Sequence, residues 1–176
     1  KKKKKTSVIN DIIDIVEQFI IKKKRICYGG TAINNILPDQ EQFYNKDMDI
    51  PDYDFFSPTP LEDSIRLANL YYKKGFKEVQ ASAGMHYGTY KVFVNFTPIA
   101  DITLLPKNVY NSLLKNSFTI NNINYAPPNF LRMSMYLELS RPEGDISRWE
   151  KILKRLVLLN NYFPLKQKNC KNIEFL

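Results

Sequence analysis

Residues 47–60 read DMDIPDYDFFSPTP, and the conformation of this stretch decides how the rest of the chain is read. Four aspartates, Asp47, Asp49, Asp52 and Asp54, fall within it, and the last two run directly into Phe55 and Phe56. A buried charge without a partner is unfavourable, so the backbone must separate the carboxylates from the rings. A β-strand does this, because successive side chains point to opposite faces. A strand over 52–56, bounded by Pro51 and Pro58, sends Asp52 and Asp54 to one side and Tyr53 and Phe55 to the other. The apolar side can then pack on a helix while the carboxylates converge in a cleft.

Asp47 and Asp49 form a rival Asp-x-Asp pair, which we reject because Pro51 interrupts any strand continuing from Ile50. The stretch also fails as a calcium loop: Pro51 stands where a ligand should be, and no glycine marks the turn.

Upstream, residues 6–24 carry Val8, Ile9, Ile12, Ile13, Val16, Phe19 and Ile20 at helical spacing, with Ser7 as N-cap and Lys22 to Arg25 closing the helix. A short strand, Arg25 to Tyr28, runs into Gly29-Gly30, and a short helix over Thr31 to Leu37 is stopped by Pro38. Downstream, Pro60 to Lys74 reads as a helix with Leu61, Ile65, Ala68 and Tyr72 on one apolar face, ended by Gly75. Three strand-like runs follow, at 76–83, 89–96 and 99–105, the first two joined by the glycine-flanked turn around His86. Pro106 opens another short helix, Phe118 to Tyr125 form a hairpin turning at Asn121-Asn122, Pro127-Pro128 start a helix through about Leu139, and a last helix runs from Ile146 to about Tyr162. The order is that of an α+β, or mixed α/β, fold: a small mixed sheet backed by helices, with a helical extension. The expected organisation is a basic tail and amphipathic helix over 1–24, a core over 25–126, and a helical part over 127–176.

The bulk composition fits a folded chain with a sizeable core: 176 residues, 44% hydrophobic, 13% aromatic and 25% charged. The net charge of +8, from 26 Lys and Arg against 18 Asp and Glu, suggests a polyanionic partner. Cys27 and Cys170 belong to no CxxC or Cys/His cluster, which argues against zinc. His86 is the single histidine, so no mechanism needing two can operate. No apolar run approaches transmembrane length. Lys1 to Lys5 lead into an amphipathic pattern and not a signal peptide, so a reducing, cytoplasmic setting is expected.

A further carboxylate stands in the apolar run Ile99-Ala100-Asp101-Ile102-Thr103-Leu104-Leu105. Alone it reads as a strand-end residue capping a turn or pairing with a lysine. With Asp52 and Asp54 it completes three carboxylates on neighbouring strands, a set of hard oxygen ligands suited to Mg²⁺ or Mn²⁺. Two such ions roughly 3.5–4 Å apart clamp the attacking and leaving oxygens of an in-line phosphoryl displacement. Gly29 and Gly30, after a strand and before a helix, let the backbone approach an anion closely, and Thr31 offers a hydroxyl to phosphate. No Gly-Lys-Ser/Thr and no GxGxxG follows, so this is neither a Walker loop nor a dinucleotide fingerprint.

The order Gly-Gly-Thr, Asp-x-Asp, then a lone Asp resembles the polymerase-beta-type nucleotidyltransferase superfamily. Within it, the chain resembles the poly(A) polymerase catalytic subunit of large cytoplasmic DNA viruses, poxvirus-like and giant-virus-like. The residues that carry the resemblance are YGGTAINNILP at 28–38, DYDFFSPTP at 52–60, IADITLLP at 99–106 and SRPEGDISRWEKILKRLVLLN at 140–160. The gap from Gly30 to Asp52 is longer than in compact members. The resemblance implies a larger enzyme with a further domain enclosing nucleotide and RNA, whereas this chain stops soon after Tyr162.

The resemblance implies transfer of AMP from ATP to RNA 3′ ends, with Asp52, Asp54 and Asp101 holding two Mg²⁺ or Mn²⁺ ions and Gly29, Gly30 and Thr31 holding the triphosphate. The last helix sets an apolar stripe, Trp149, Ile152, Leu153, Leu156 and Val157, against basic Arg148, Lys151, Lys154 and Arg155. These four cations read either as a solvated face or as contacts to triphosphate or RNA backbone. The resemblance further implies action in the host cytoplasm or packaging in the virion, and self-association or a processivity partner. Two other readings stand beside it: a nucleotidyltransferase for another nucleotide or acceptor, and an inactive RNA-binding or processivity subunit. Adenine selectivity rests on the resemblance alone.

Overall fold

The computed structural model describes residues 7–44 and 51–165. The chain divides after Pro127 into two compact units.

The first unit is built on a seven-stranded sheet in the order β3-β4-β5-β2-β1-β7-β6. Its strands are β1 (Ile26–Tyr28), β2 (Tyr53–Ser57), β3 (Val79–Ala83), β4 (Thr89–Val94), β5 (Thr97–Leu104), β6 (Phe118–Ile120) and β7 (Ile123–Tyr125). The sheet is mixed: β2 runs parallel to β5 and β1 parallel to β7, and the other neighbours are antiparallel. With helices α1 (Ser7–Lys23), α2 (Gly29–Ile36), α3 (Pro60–Lys73) and α4 (Lys107–Lys115), this is the expected α+β architecture. Among the described residues no helix is long and apolar enough to cross a membrane.

Strand β2 lies at the centre, and the alternation read from its sequence operates. Tyr53, Phe55 and Ser57 turn to one side. The Tyr53 hydroxyl donates to Glu17 of α1, the Phe55 ring lies 6.2 Å from that of Phe19, and Ser57 Oγ donates to Asp63 of α3 at 2.6 Å. Asp54 and Phe56 turn to the other side. The strand begins at Tyr53, so Asp52, expected inside it, lies one residue before it and is exposed.

Helix α3 corrects the sequence reading. The face expected to be inward leaves Leu61, Ile65 and Tyr72 exposed, and the buried side chains are Asp63, Ser64, Leu67 and Tyr71. The helix is turned by about one residue because its polar groups find partners inside. Arg25 Nε donates to Asp63 Oδ2 at 2.7 Å, and the Tyr71 hydroxyl donates to the Ile12 carbonyl at 2.7 Å. A buried carboxylate is tolerated only when paired and hydrogen-bonded, and Asp63 is both.

Two turns explain the strand boundaries. Asn121 and Asn122 both have positive φ, 50° and 64°, as a two-residue hairpin turn requires. Asn95 and Phe96 do the same at 49° and 62° between β4 and β5, a hairpin that the sequence reading left out because phenylalanine seldom takes this conformation. The expected strand over 76–83 is shortened to Val79–Ala83. Phe76 instead packs edge-on against Tyr71, with ring centroids 5.8 Å apart.

The second unit holds α5 (Pro128–Leu139) and α6 (Trp149–Tyr162), with a 3₁₀ turn at Ile146–Arg148 before α6. Of the stripe expected on α6, Ile152 and Leu156 are buried together with Leu159, while Trp149, Leu153 and Val157 are exposed. The unit is organised by Arg132, which is 3% exposed. Its guanidinium donates to Asn160 Oδ1 at 2.6 Å, to Asn129 and to the Phe163 carbonyl.

Candidate active site

The turn from β1 into α2 forms one wall of the site. Helix α2 starts at Gly29, two residues earlier than expected. Gly29 has φ +70°, and a Cβ built on it would stand 2.2 Å from Asp54 Oδ2. Glycine is required here twice, for its conformation and for the space Asp54 fills. Tyr28 precedes the helix in extended conformation and provides no side-chain cap, so the first N–H groups of α2 have no side-chain oxygen from the cap position. Such a terminus favours anions. Thr31 is turned inward: its hydroxyl donates to the Asp52 carbonyl at 2.8 Å, and the residue is buried. The side chain ties α2 to the backbone at Asp52.

Across the sheet the register brings four side chains into one row. Tyr28 pairs with Asp54, Asp54 with Asp101, and Asp101 with Lys91. The row spans β1, β2, β5 and β4. The Lys91 ammonium forms an ion pair with Asp101 Oδ2, while Asp101 Oδ1 is buried with no hydrogen-bond partner. Beside the row, the Tyr28 ring stacks on Phe56 with centroids 4.0 Å apart and planes 12° apart. Tyr28 also shares a 2.8 Å hydrogen bond with the Thr103 hydroxyl, which shares another with Thr89 at 3.0 Å. Burial, followed by the charge of Asp54, raises the Tyr28 phenol well above its ordinary range, so it stays neutral.

Asp52 is solvent-reachable, yet neighbouring protein strips enough water to raise its carboxyl above the usual aspartate range. The charge of Asp101 raises it further, and Lys91 pulls it back down. Asp52 and Asp101 are thus electrostatic neighbours. Among the described residues, however, no three acidic, histidine or cysteine side chains are gathered tightly enough to hold one ion as they stand. Asp54 and Asp101 are adjacent, and Asp101 presents a buried oxygen in need of a cation, which fits a divalent ion. Asp47 and Asp49 lie outside the described residues.

Lys91 escaped the sequence reading. It sits in the alternating run Thr89-Tyr90-Lys91-Val92-Phe93-Val94, and only the β4–β5 register puts it against Asp101. The basic set of α6 lies in the second unit. There Arg148 Nε meets Glu138 at 2.8 Å and Lys154 meets Glu150 at 2.6 Å. Exposed pairs of this kind are weak, but they occupy two of the four cations expected to face phosphate.

This geometry accompanies clear relatives. Residues 14–145 match the sequence model of the family described as poly(A) polymerase catalytic subunit. The chain belongs to this family. It is 33% identical over 171 residues to a protein of African swine fever virus (strain Badajoz 1971 Vero-adapted), covering 94% of this chain and 36% of that one. It is also 33% identical to a protein of Acanthamoeba polyphaga mimivirus, covering 88% of this chain and 27% of the other. Both carry the description "Putative poly(A) polymerase catalytic subunit". The crystal structure of the Megavirus polyadenylate synthase superposes with a TM-score of 0.85 at 31% identity, over 95% of this chain and 34% of that one. JHP933 of Helicobacter pylori shares the fold at 10% identity, TM-score 0.58, over 90% of this chain and 68% of that one. The chain therefore spans about a third of the length of the poly(A) polymerase relatives it matches.

Proposed function

We propose that the chain carries the catalytic core of a template-independent nucleotidyltransferase that adds AMP from ATP to the 3′ end of RNA. The observation that carries the proposal is the pairing of Asp54 with Asp101 in adjacent strands, beside the glycine turn that opens α2, in a chain of the poly(A) polymerase family.

The roles follow from placement. Asp52, Asp54 and Asp101 would hold the divalent ions. Gly29 and Gly30 let the backbone approach the triphosphate, and the start of α2 turns its N–H groups toward it. Thr31 holds the Asp52 backbone in place. When bound, Mg²⁺ or Mn²⁺ neutralises phosphate charge and makes the 3′-hydroxyl easier to ionise. The protein's own contribution is positioning and fixed electrostatics, as nucleotidyl transfer requires. The first unit is the catalytic part and the second the beginning of a helical domain. Basic residues Arg148, Lys151, Lys154 and Arg155 meet RNA or triphosphate. The setting is the host cytoplasm during infection, with self-association or a processivity partner.

One observation favours a second reading. Lys91 already engages Asp101, as a binding subunit without chemistry would allow. Incubation with labelled RNA, each NTP in turn, and Mg²⁺ or Mn²⁺ separates the two. Selective use of ATP to make a homopolymer tail is the expected result. Equal use of UTP or CTP would refute adenylate transfer but keep nucleotidyl transfer. Retained RNA binding without incorporation favours the binding subunit. In the same assay Asp52→Ala and Asp54→Ala are inactive, and Asp47→Ala and Asp49→Ala keep most activity.

A further inference from the structure

Among the described residues Lys91 is the one cation aligned with the carboxylate row, and the nucleotidyltransferase reading gives it no task. It reaches the row from β4, directly opposite Asp101 in the antiparallel register. The two side chains are only partly accessible, 34% for Lys91 and 18% for Asp101. The ammonium holds one oxygen, Oδ2, and leaves the other, Oδ1, buried without a hydrogen-bond partner. The next strand places Asp54 beside Asp101, with one of its oxygens against the glycine turn. Two adjacent carboxylates with low access to water repel each other, and a fixed positive charge offsets that repulsion.

We propose that Lys91 is a resident counter-cation of the site: it neutralises Asp101 when no divalent ion is bound, keeps Oδ1 directed into the site, and competes with the incoming ion for the same carboxylate. Lys91 is thus a positioning residue that acts through Asp101 and sets how tightly the site takes a divalent ion. The proposal rests on the reading of Asp54 and Asp101 as ion ligands.

The geometry has two consequences that a merely structural lysine would not have. Without divalent ions, losing the ammonium removes the positive charge paired with Asp101 beside Asp54, so the metal-free protein is less stable. With divalent ions, the same loss removes a like charge beside the bound cation, so binding tightens. An ordinary packing residue would lower stability under both conditions.

The test uses the chain with Lys91→Met, which keeps the aliphatic stem, Lys91→Arg, which keeps the charge, and Asp101→Asn. Mn²⁺ affinity is measured by calorimetric titration, and melting temperature with and without Mn²⁺. Lys91→Met is expected to bind Mn²⁺ on the order of ten-fold more tightly, as loss of one nearby like charge in a partly screened site allows. It should melt lower than wild type without Mn²⁺ and recover most of the deficit with it. Lys91→Arg should stay close to wild type, and Asp101→Asn should lose most Mn²⁺ binding. Mn²⁺ affinity that is unchanged or weaker in Lys91→Met, while Asp101→Asn still abolishes binding, would overturn the role of Lys91 and leave the ion site standing. No Mn²⁺ binding by wild type would overturn both.

Discussion

Asp54 on β2 and Asp101 on β5 are direct partners in adjacent parallel strands, although a helix and two further strands separate them in the chain. Two carboxylates placed side by side on a rigid sheet are held close without further ordering when an ion or triphosphate arrives. Replacing Asp101 by Asn keeps the shape and removes the charge. Nucleotide addition is expected to fall on the order of hundredfold or more. Stability should change by less than about 1 kcal/mol, because the lost ion pair with Lys91 is partly solvated. Primer extension and thermal melting measured on the same sample decide it, and full activity in a folded variant would remove Asp101 from the site.

Gly29→Ala tests the glycine turn. The new Cβ would meet Asp54 Oδ2 in a backbone conformation with φ +70°, so both the turn and the carboxylate must shift. The left-handed conformation alone costs about 1–2 kcal/mol, and the clash adds to it. Gly75 serves as the control: its φ is +100°, yet nothing lies within 4 Å of an added Cβ. Gly75→Ala should therefore lose stability alone, while Gly29→Ala loses stability and nucleotide addition. Equal losses of activity in both would show that the space beside Asp54 is unimportant.

Asp63→Ala breaks a buried pair. Asp63 accepts from Arg25 Nε and from Ser57 Oγ on a single oxygen, at 2.7 and 2.6 Å, and its side chain is 1% exposed. Removing one partner strands the Arg25 guanidinium in the interior, which costs about 3–5 kcal/mol. Chemical denaturation should report a midpoint shift of that size, and a shift under 1 kcal/mol would mean the pair behaves as a surface contact.

Acid should act on Asp52 before an ordinary aspartate. Burial first, and the charge of Asp101 second, raise its carboxyl above the usual aspartate range, so the folded chain holds this proton more tightly than the unfolded one. Its contribution to stability is fully present below the unfolded value and is lost as pH rises through the folded value. A bound divalent ion works in the opposite sense, since it needs the carboxylate ionised. Mn²⁺ binding should thus begin to weaken, on acidification, above the pH at which a free aspartate would protonate, and Asp52→Asn should flatten that limb. An identical pH profile in Asp52→Asn would exclude Asp52 from the binding equilibrium.

Replacing Arg148, Lys151 and Arg155 together should flatten the salt dependence of RNA binding. Each phosphate contact in a single strand contributes about 0.7 to the log–log slope. The expected change is up to about 2 units if all three touch phosphate. An unchanged slope would assign this face of α6 to solvent.

Much of this protein is written in short-range rules that the sequence carries by itself. Alternation in Tyr53-Asp54-Phe55 predicts a strand with a carboxylate on one face, because side-chain direction in a strand depends only on position. Asn121-Asn122 predicts a hairpin because asparagine tolerates the left-handed conformation, and Pro106, Pro128 and Pro60 each mark a helix start. Motif order also pointed to the nucleotidyltransferase superfamily, and the stretch at 140–160 to the family. Tertiary structure decided the rest, because it depends on residues far apart in the chain. Strand order made Asp54 and Asp101 neighbours and brought Lys91 onto Asp101; nothing local to β4 or β5 sets that register. Helix α3 turned its buried face from Leu61 and Ile65 to Asp63, Leu67 and Tyr71. Hydrophobicity ranks side chains one at a time, whereas the cost of burying Asp63 vanishes only once Arg25 and Ser57 are in place. The bond from the Thr31 hydroxyl to the Asp52 carbonyl arises in the same way: the two residues lie far apart in the chain, and only the fold brings them within reach.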